Sequence, residues 1–152
     1  DALPISAFIQ WYVTRMNPIW LPCSAMVLVT ALVWIKLYAD RLGEMRARGI
    51  SPQLLATARD AAERLEKTAA ADNFRNLFEV PVLFYVWCIA VAMTGVSTAG
   101  LVTAAWVFVG LRALHSLIHV TYNRVLHRFL VYFASTVLMF AMWAVFFARI
   151  TA

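Results

Sequence analysis

Charge is scarce in this chain. Asp, Glu, Lys and Arg make up 14% of its 152 residues, against 63% hydrophobic. With a mean hydropathy of +0.75, that balance excludes a disordered chain and fits one that crosses a membrane several times. Cysteine is scarce as well. Cys23 and Cys88 fall in different apolar segments with no ligand spacing between them, so both read as small buried hydrophobes. No nucleophile elbow, phosphate loop, CxxC pair or Ser-His-Asp arrangement is present. There is no internal repeat and no low-complexity segment. Residues 1–18 do not read as a secretory leader: Pro4, Gln10, Arg15, Asn17 and Pro18 interrupt any apolar core, and no basic head precedes one. Trp11, Tyr12 and Trp20 instead suit an interfacial lead-in.

What the chain does have is four apolar spans, at about 19–38, 73–94, 98–122 and 129–148, each near the ~20 residues that cross a bilayer. The spacing predicts that the first continues as a helix through Asp40 and Glu44 and stops near Gly49. Ser51-Pro52 reads as a restart. Leu54 to Thr68 reads as a solvated helix carrying Arg59–Glu63 and Glu63–Lys67 at i,i+4. Pro81 predicts a kink in the second span. The turn Gly95 to Gly100 carries no charge.

Eight of the thirteen Lys and Arg lie between Lys36 and Arg75, among six acids. That mixture reads as a cytoplasmic connection and not as a nucleic-acid surface. The link Asn123 to Arg128 is also basic. Loops 1–2 and 3–4 are therefore expected in the cytoplasm and both termini on the opposite side. Two such hairpins make one all-α, up-down four-helix membrane domain over residues 1–152.

The third span ends in a polar stripe: Arg112, His115, Ser116, His119, Tyr122 and Asn123 fall within an arc of about 120° on an ideal helix. Sixteen uncharged residues, Val96 to Leu111, run straight into it. A central Arg costs roughly 2.5–3.5 kcal/mol on insertion scales, so such groups normally face a cavity, a partner or a ligand. The second span begins with a matching set, Arg75-Asn76-x-x-Glu79, whose i,i+3 and i,i+4 spacing puts all three on one helix face. The expected up-down orientation brings the two sets to the same depth. Glu79 needs a cation. It pairs with Arg75 or Arg112, or it binds a ligand ammonium while arginines bind carboxylates. His115 and His119 have a spacing that could hold a metal or haem, but no third ligand is evident. Arg46, Arg124 and His127 read as ordinary anchors at the membrane surface, whereas Arg128 starts the fourth span beside the stripe.

Together these residues resemble the family of membrane-associated proteins in eicosanoid and glutathione metabolism, the MAPEG family, which includes microsomal glutathione transferases. Arg75-Asn76-x-x-Glu79 followed by Pro81 resembles its span-2 signature. Val109-Gly110-Leu111-Arg112-x-x-His115-x-x-x-His119, with Arg124 and Arg128 beyond, resembles its span-3 pattern. Ile35-Lys36-Leu37-Tyr38, with Arg48 further on, resembles its helix-1 exit. The match covers roughly Trp34 to Arg128.

The resemblance implies a homotrimer with glutathione between neighbouring subunits near the cytoplasmic face. It implies Arg48, Arg75, Asn76, Glu79, Arg112, His115 and His119 as cofactor-binding residues, with Arg128 stabilising the thiolate. Two positions depart from the eicosanoid-forming branch, which has Tyr where His119 stands and, in its prostaglandin synthase, a hydroxyl residue where Phe129 stands. No eicosanoid substrate is carried over. The expected activity is therefore glutathione transfer to lipophilic electrophiles or reduction of lipid hydroperoxides. Two alternatives fit the same residues: a non-catalytic lipid-binding or accessory subunit docked to a larger membrane complex, and haem or metal held by His115 and His119.

Overall fold

Where the sequence has its longest uncharged runs, the computed structural model, which describes residues 17–152, has helices. Trp11 and Tyr12, expected in an interfacial lead-in, lie outside the described residues. Helix α1 spans Trp20–Arg48. It opens behind Pro18, where the Ile19 amide donates to Asn17 Oδ1 at 3.1 Å. It closes at Gly49, whose φ of +64° is the left-handed conformation that glycine adopts most readily, having no Cβ. The Gly49 and Ile50 amides both return to the Met45 carbonyl. The expected run through Asp40 and Glu44 to Gly49 is thus observed.

The connection that follows differs from expectation. Ser51-Pro52 opens only a 3-10 turn, Pro52–Leu55, with no side-chain cap. The α-helix in this stretch is the seven-residue α2, Ala58–Arg64, and its start is set by Thr57. The Thr57 hydroxyl accepts from the Asp60 amide at 3.1 Å while Asp60 Oδ2 accepts from the Thr57 amide at 3.2 Å, a reciprocal cap that satisfies two orphan donors. The Thr57 hydroxyl, more than any other neighbour, holds the Asp60 carboxyl below the usual carboxylate range. The Arg59–Glu63 pair forms at 2.8 Å. Glu63–Lys67 does not join the ion pairs, because the helix ends at Arg64 and Leu65 is extended.

A buried carboxylate ties this connection down. Glu44 accepts from the Glu66 amide at 2.8 Å, from the Lys67 amide at 3.0 Å and from Arg48 at 2.6 Å. Arg48 in turn donates to the Arg64 carbonyl at 2.9 Å. Glu44→Ala is expected to release residues 65–67, which trypsin would report as faster cleavage after Arg64 and Lys67 in the folded protein; an unchanged cleavage rate would show that the clamp holds nothing.

The second span is two helices, α3 (Ala69–Asn76) and α4 (Val80–Thr94), and not one kinked helix. Pro81 lacks an amide hydrogen, so it is tolerated in the first turn of α4 and not inside a continuous helix. The chain steps across Leu77 to Glu79, and Glu79 takes φ −97°, ψ −104°. Arg75, Asn76 and Glu79 therefore do not share one helix face. Helix α5 (Ala99–Val120) starts at Thr98, whose hydroxyl accepts from the Leu101 amide. It ends sooner than expected, because Thr121 leaves helical geometry and Asn123 takes φ +47°. Tyr122 and Asn123 thus drop out of the polar stripe, and Tyr122 is exposed. Helix α6 (Val125–Ile150) starts earlier than the uncharged run, so Arg128 stands one turn inside it.

Four helical stretches, α1, α3 with α4, α5 and α6, are long and apolar enough to cross a membrane. Among the described residues there is no strand. Buried Met26, Phe84, Trp87, Cys88, Val91, Ala105, Phe108 and Met139 form the apolar core between them. Phe84 stacks on Phe108 at 4.6 Å between ring centres, and Trp87 Nε1 donates to the Met142 carbonyl at 3.2 Å. This all-α bundle carries the polar groups at one end.

Candidate functional site

The step at residues 77–79 and the early start of α6 set the geometry of that end. They leave a cavity of about 210 Å³ lined by Asn76, Glu79, His115, Val125, Arg128, Phe129 and Tyr132. Four of the residues singled out from the sequence meet there: Asn76, Glu79, His115 and Arg128.

Two more stand behind the wall. Arg112 is fully buried, with its Nη2 donating to the Asn76 carbonyl at 3.0 Å and its guanidinium 5.2 Å from the centre of the Tyr132 ring. Its Nε and Nη1 have no partner among the described residues. It forms no ion pair with Glu79; instead the Tyr132 hydroxyl donates to Glu79 Oε2 at 3.2 Å. Tyr132 thus lies between the two charges, its ring toward the cation and its hydroxyl on the carboxylate. His119, also buried, contributes through Arg128, whose Nη1 donates to His119 Nε2 at 3.0 Å and to Asn123 Oδ1 at 2.8 Å.

These contacts fix the imidazole tautomers. His115 Nδ1 faces the Arg128 carbonyl at 3.1 Å. A carbonyl only accepts, so Nδ1 carries the hydrogen and Nε2, buried and unpartnered, keeps its lone pair. In His119 the nitrogen facing Arg128 accepts, so its hydrogen is on Nδ1. A lone pair already engaged by a guanidinium is a poor metal ligand, and the cation beside it repels a second one. Among the described residues no group of three His, Cys, Asp or Glu is placed to hold a metal.

The other two residues lie elsewhere within the chain. Arg75 pairs with Asp72 at 3.3 Å and lines a separate cleft with Arg41. Arg48 is engaged by Glu44, by Glu66 at 3.5 Å and by the Arg64 carbonyl. Sequence reasoning missed Tyr132 and Asn73. Tyr132 is four residues after Arg128, the spacing that puts two side chains on one helix face, and that signal was available. Asn73 is fully buried and accepts from the Ser116 hydroxyl at 3.3 Å, which occupies the remaining polar member of the stripe.

The arrangement offers one carboxylate, one guanidinium, an unpartnered imidazole nitrogen and a phenol around a single void. Glu79 is the last acidic residue in the chain, so it is the negative end of this site. Arg112→Met tests the supporting role of the buried cation. Replacing a buried cation that has no carboxylate partner is expected to leave thermal stability unchanged or raised, while ligand affinity falls because Asn76 and Tyr132 lose their anchor. A large drop in melting temperature would show that Arg112 is a structural cation instead.

Fold and site together define a polytopic, four-helix membrane protein with a polar cavity at one end of the bundle. The MAPEG family model matches residues 19–148, and the chain belongs to the MAPEG family. Comparison with the curated proteins and with the solved structures gave no significant match.

Proposed function

We propose that the protein is a glutathione-dependent membrane enzyme. The observation that carries the reading is the 210 Å³ cavity in which Glu79 and Arg128 face the same void. Glutathione has two carboxylates, one ammonium and a thiol. Glu79 would take the ammonium, and Arg128 would favour the thiolate by lying next to it. Asn76, His115 and Tyr132 would orient the peptide, with Arg112 and His119 holding the wall. The thiolate would attack the electrophilic carbon of a lipophilic substrate and displace its leaving group. With a lipid hydroperoxide, two glutathiones would instead give the alcohol, water and glutathione disulfide.

Arg48 and Arg75 do not reach this cavity within one chain. In a homotrimer they would bind ligand carboxylates across a subunit boundary, and the open side of the cavity supports such sharing. The second substrate would enter from the bilayer. The basic stretch between Lys36 and Arg75 supports a cytoplasmic position for loops 1–2 and 3–4, with the termini opposite. A second reading, a lipid-binding or accessory subunit, is favoured by an apolar groove of about 260 Å³ between α1 and α5, lined by Val29, Leu32, Val33 and Leu117. Calorimetry of glutathione against the purified protein separates the two. Saturable binding supports the enzyme. Its absence, alongside co-purification in fixed stoichiometry with another membrane complex, supports the accessory subunit.

A further inference from the structure

At the edge of the bundle, away from the cavity just described, α1, α2 and α3 enclose a cleft lined by Leu37, Arg41, Lys67, Thr68, Asp72 and Arg75, on a floor of alanines. The enclosed part is about 20 Å³, room for a single oxygen-sized group.

The charges around it do not balance. Between Lys36 and Arg75 each acid already has a partner. Asp40 pairs with Lys36, Glu44 and Glu66 with Arg48, Glu63 with Arg59, and Asp72 with Arg75. Asp60 accepts from the Thr57 hydroxyl. Arg41 and Lys67 take part in none of these pairs among the described residues, and both line the cleft. Arg41 Nε is buried without a hydrogen-bond partner. A buried guanidinium donor normally has an acceptor, so this one is left waiting for an oxygen.

We infer that the cleft binds a phosphoryl group, one oxygen entering toward Arg41 Nε and a second facing Lys67. A phosphoryl group fits because it presents several acceptor oxygens on one centre, and its charge matches the two cations of the cleft that join no ion pair. Arg41 stands five residues past Lys36, the first charge on α1 and the end of its uncharged run, which is the depth of lipid headgroups. The occupant is a phosphate ester, either from a phospholipid headgroup or free in solution. Arg41 and Lys67, which carry the inference, have no part in the proposed glutathione site; Arg75, which also lines the cleft, does have one there and takes no part in the phosphoryl contact.

The test is a native mass-spectrometric titration of the detergent-solubilised full chain with short-chain phosphatidic acid, repeated with inorganic phosphate as competitor. The wild type is expected to retain one phosphatidic acid per chain. Arg41→Gln and Lys67→Gln should each weaken retention about tenfold, the loss of one charge-assisted hydrogen bond. Arg41→Lys, which keeps the charge, should retain most of it and controls for folding. Arg46→Gln, at an exposed cationic position on the same helix that does not line the cleft, should change nothing. Competition by inorganic phosphate would assign the site to the phosphoryl group alone. Failure of phosphate to compete, with the variant pattern intact, would assign it to a lipid held also by its chains. Equal losses from Arg41→Gln and Arg46→Gln, or no loss from either cleft variant, would overturn the inference, because diffuse surface charge would then account for any binding.

Discussion

Arg128→Gln is expected to lower glutathione-dependent turnover by about a hundredfold, in the range found when a preorganised electrostatic group is removed from an active site. Glutamine keeps much of the side-chain length and can still donate to Asn123, so helix α6 and the cavity wall should survive. What would disappear is the fixed positive charge that the proposal sets beside the thiol. Nη1 of the guanidinium is held by two acceptors, His119 at 3.0 Å and Asn123 at 2.8 Å, so the group would need little reorganisation when negative charge appears on sulfur. The effect should therefore fall on kcat, with KM changed little, and the ultraviolet thiolate absorbance seen on mixing wild type with glutathione should be lost. A variant that keeps the thiolate signal and kcat would remove Arg128 from the chemistry.

Glu79→Gln should act on binding instead. Among the described residues Glu79 is the one carboxylate lining the cavity, and Tyr132 already donates to it. A ligand ammonium placed there would form a charge-assisted hydrogen bond worth about 1.5–3 kcal/mol. Glutamine can still accept from Tyr132 but offers no charge, so affinity for glutathione should fall at least about tenfold. The penalty should vanish for a glutathione analogue that lacks the amino group. Such a cycle isolates one pair of groups from general damage to the site. An equal loss for both ligands would mean that Glu79 supports the wall and does not touch the ammonium.

The helices were legible because length and apolar composition leave few alternatives in a bilayer. The end of α1 was legible because Gly49 is the residue a left-handed cap requires. The site was legible in part. Asn76, Glu79, His115 and Arg128 are costly groups beside apolar runs, and that cost predicts a shared void. The break between α3 and α4 was not legible in detail, since Pro81 permits either a kink inside a helix or a start after a step. The ideal-helix arc counted Tyr122 and Asn123, but Asn123 adopts a left-handed conformation and ends the stripe early. Tyr132 was passed over because an aromatic in an apolar span looks like core; only its register with Arg128 distinguishes it. The capping role of Thr57 was present in the pattern Thr57-Ala58-Arg59-Asp60, overshadowed by the stronger-looking Ser51-Pro52.

The central claim is that the void between Glu79 and Arg128 receives a zwitterionic thiol. The most direct measurement is an experimental structure of the protein in lipid with glutathione added. The account predicts tripeptide-sized density in that void, its amino group on Glu79 and its sulfur beside Arg128. A void filled by acyl chain or left empty at saturating glutathione, with the peptide found elsewhere or nowhere, would contradict it.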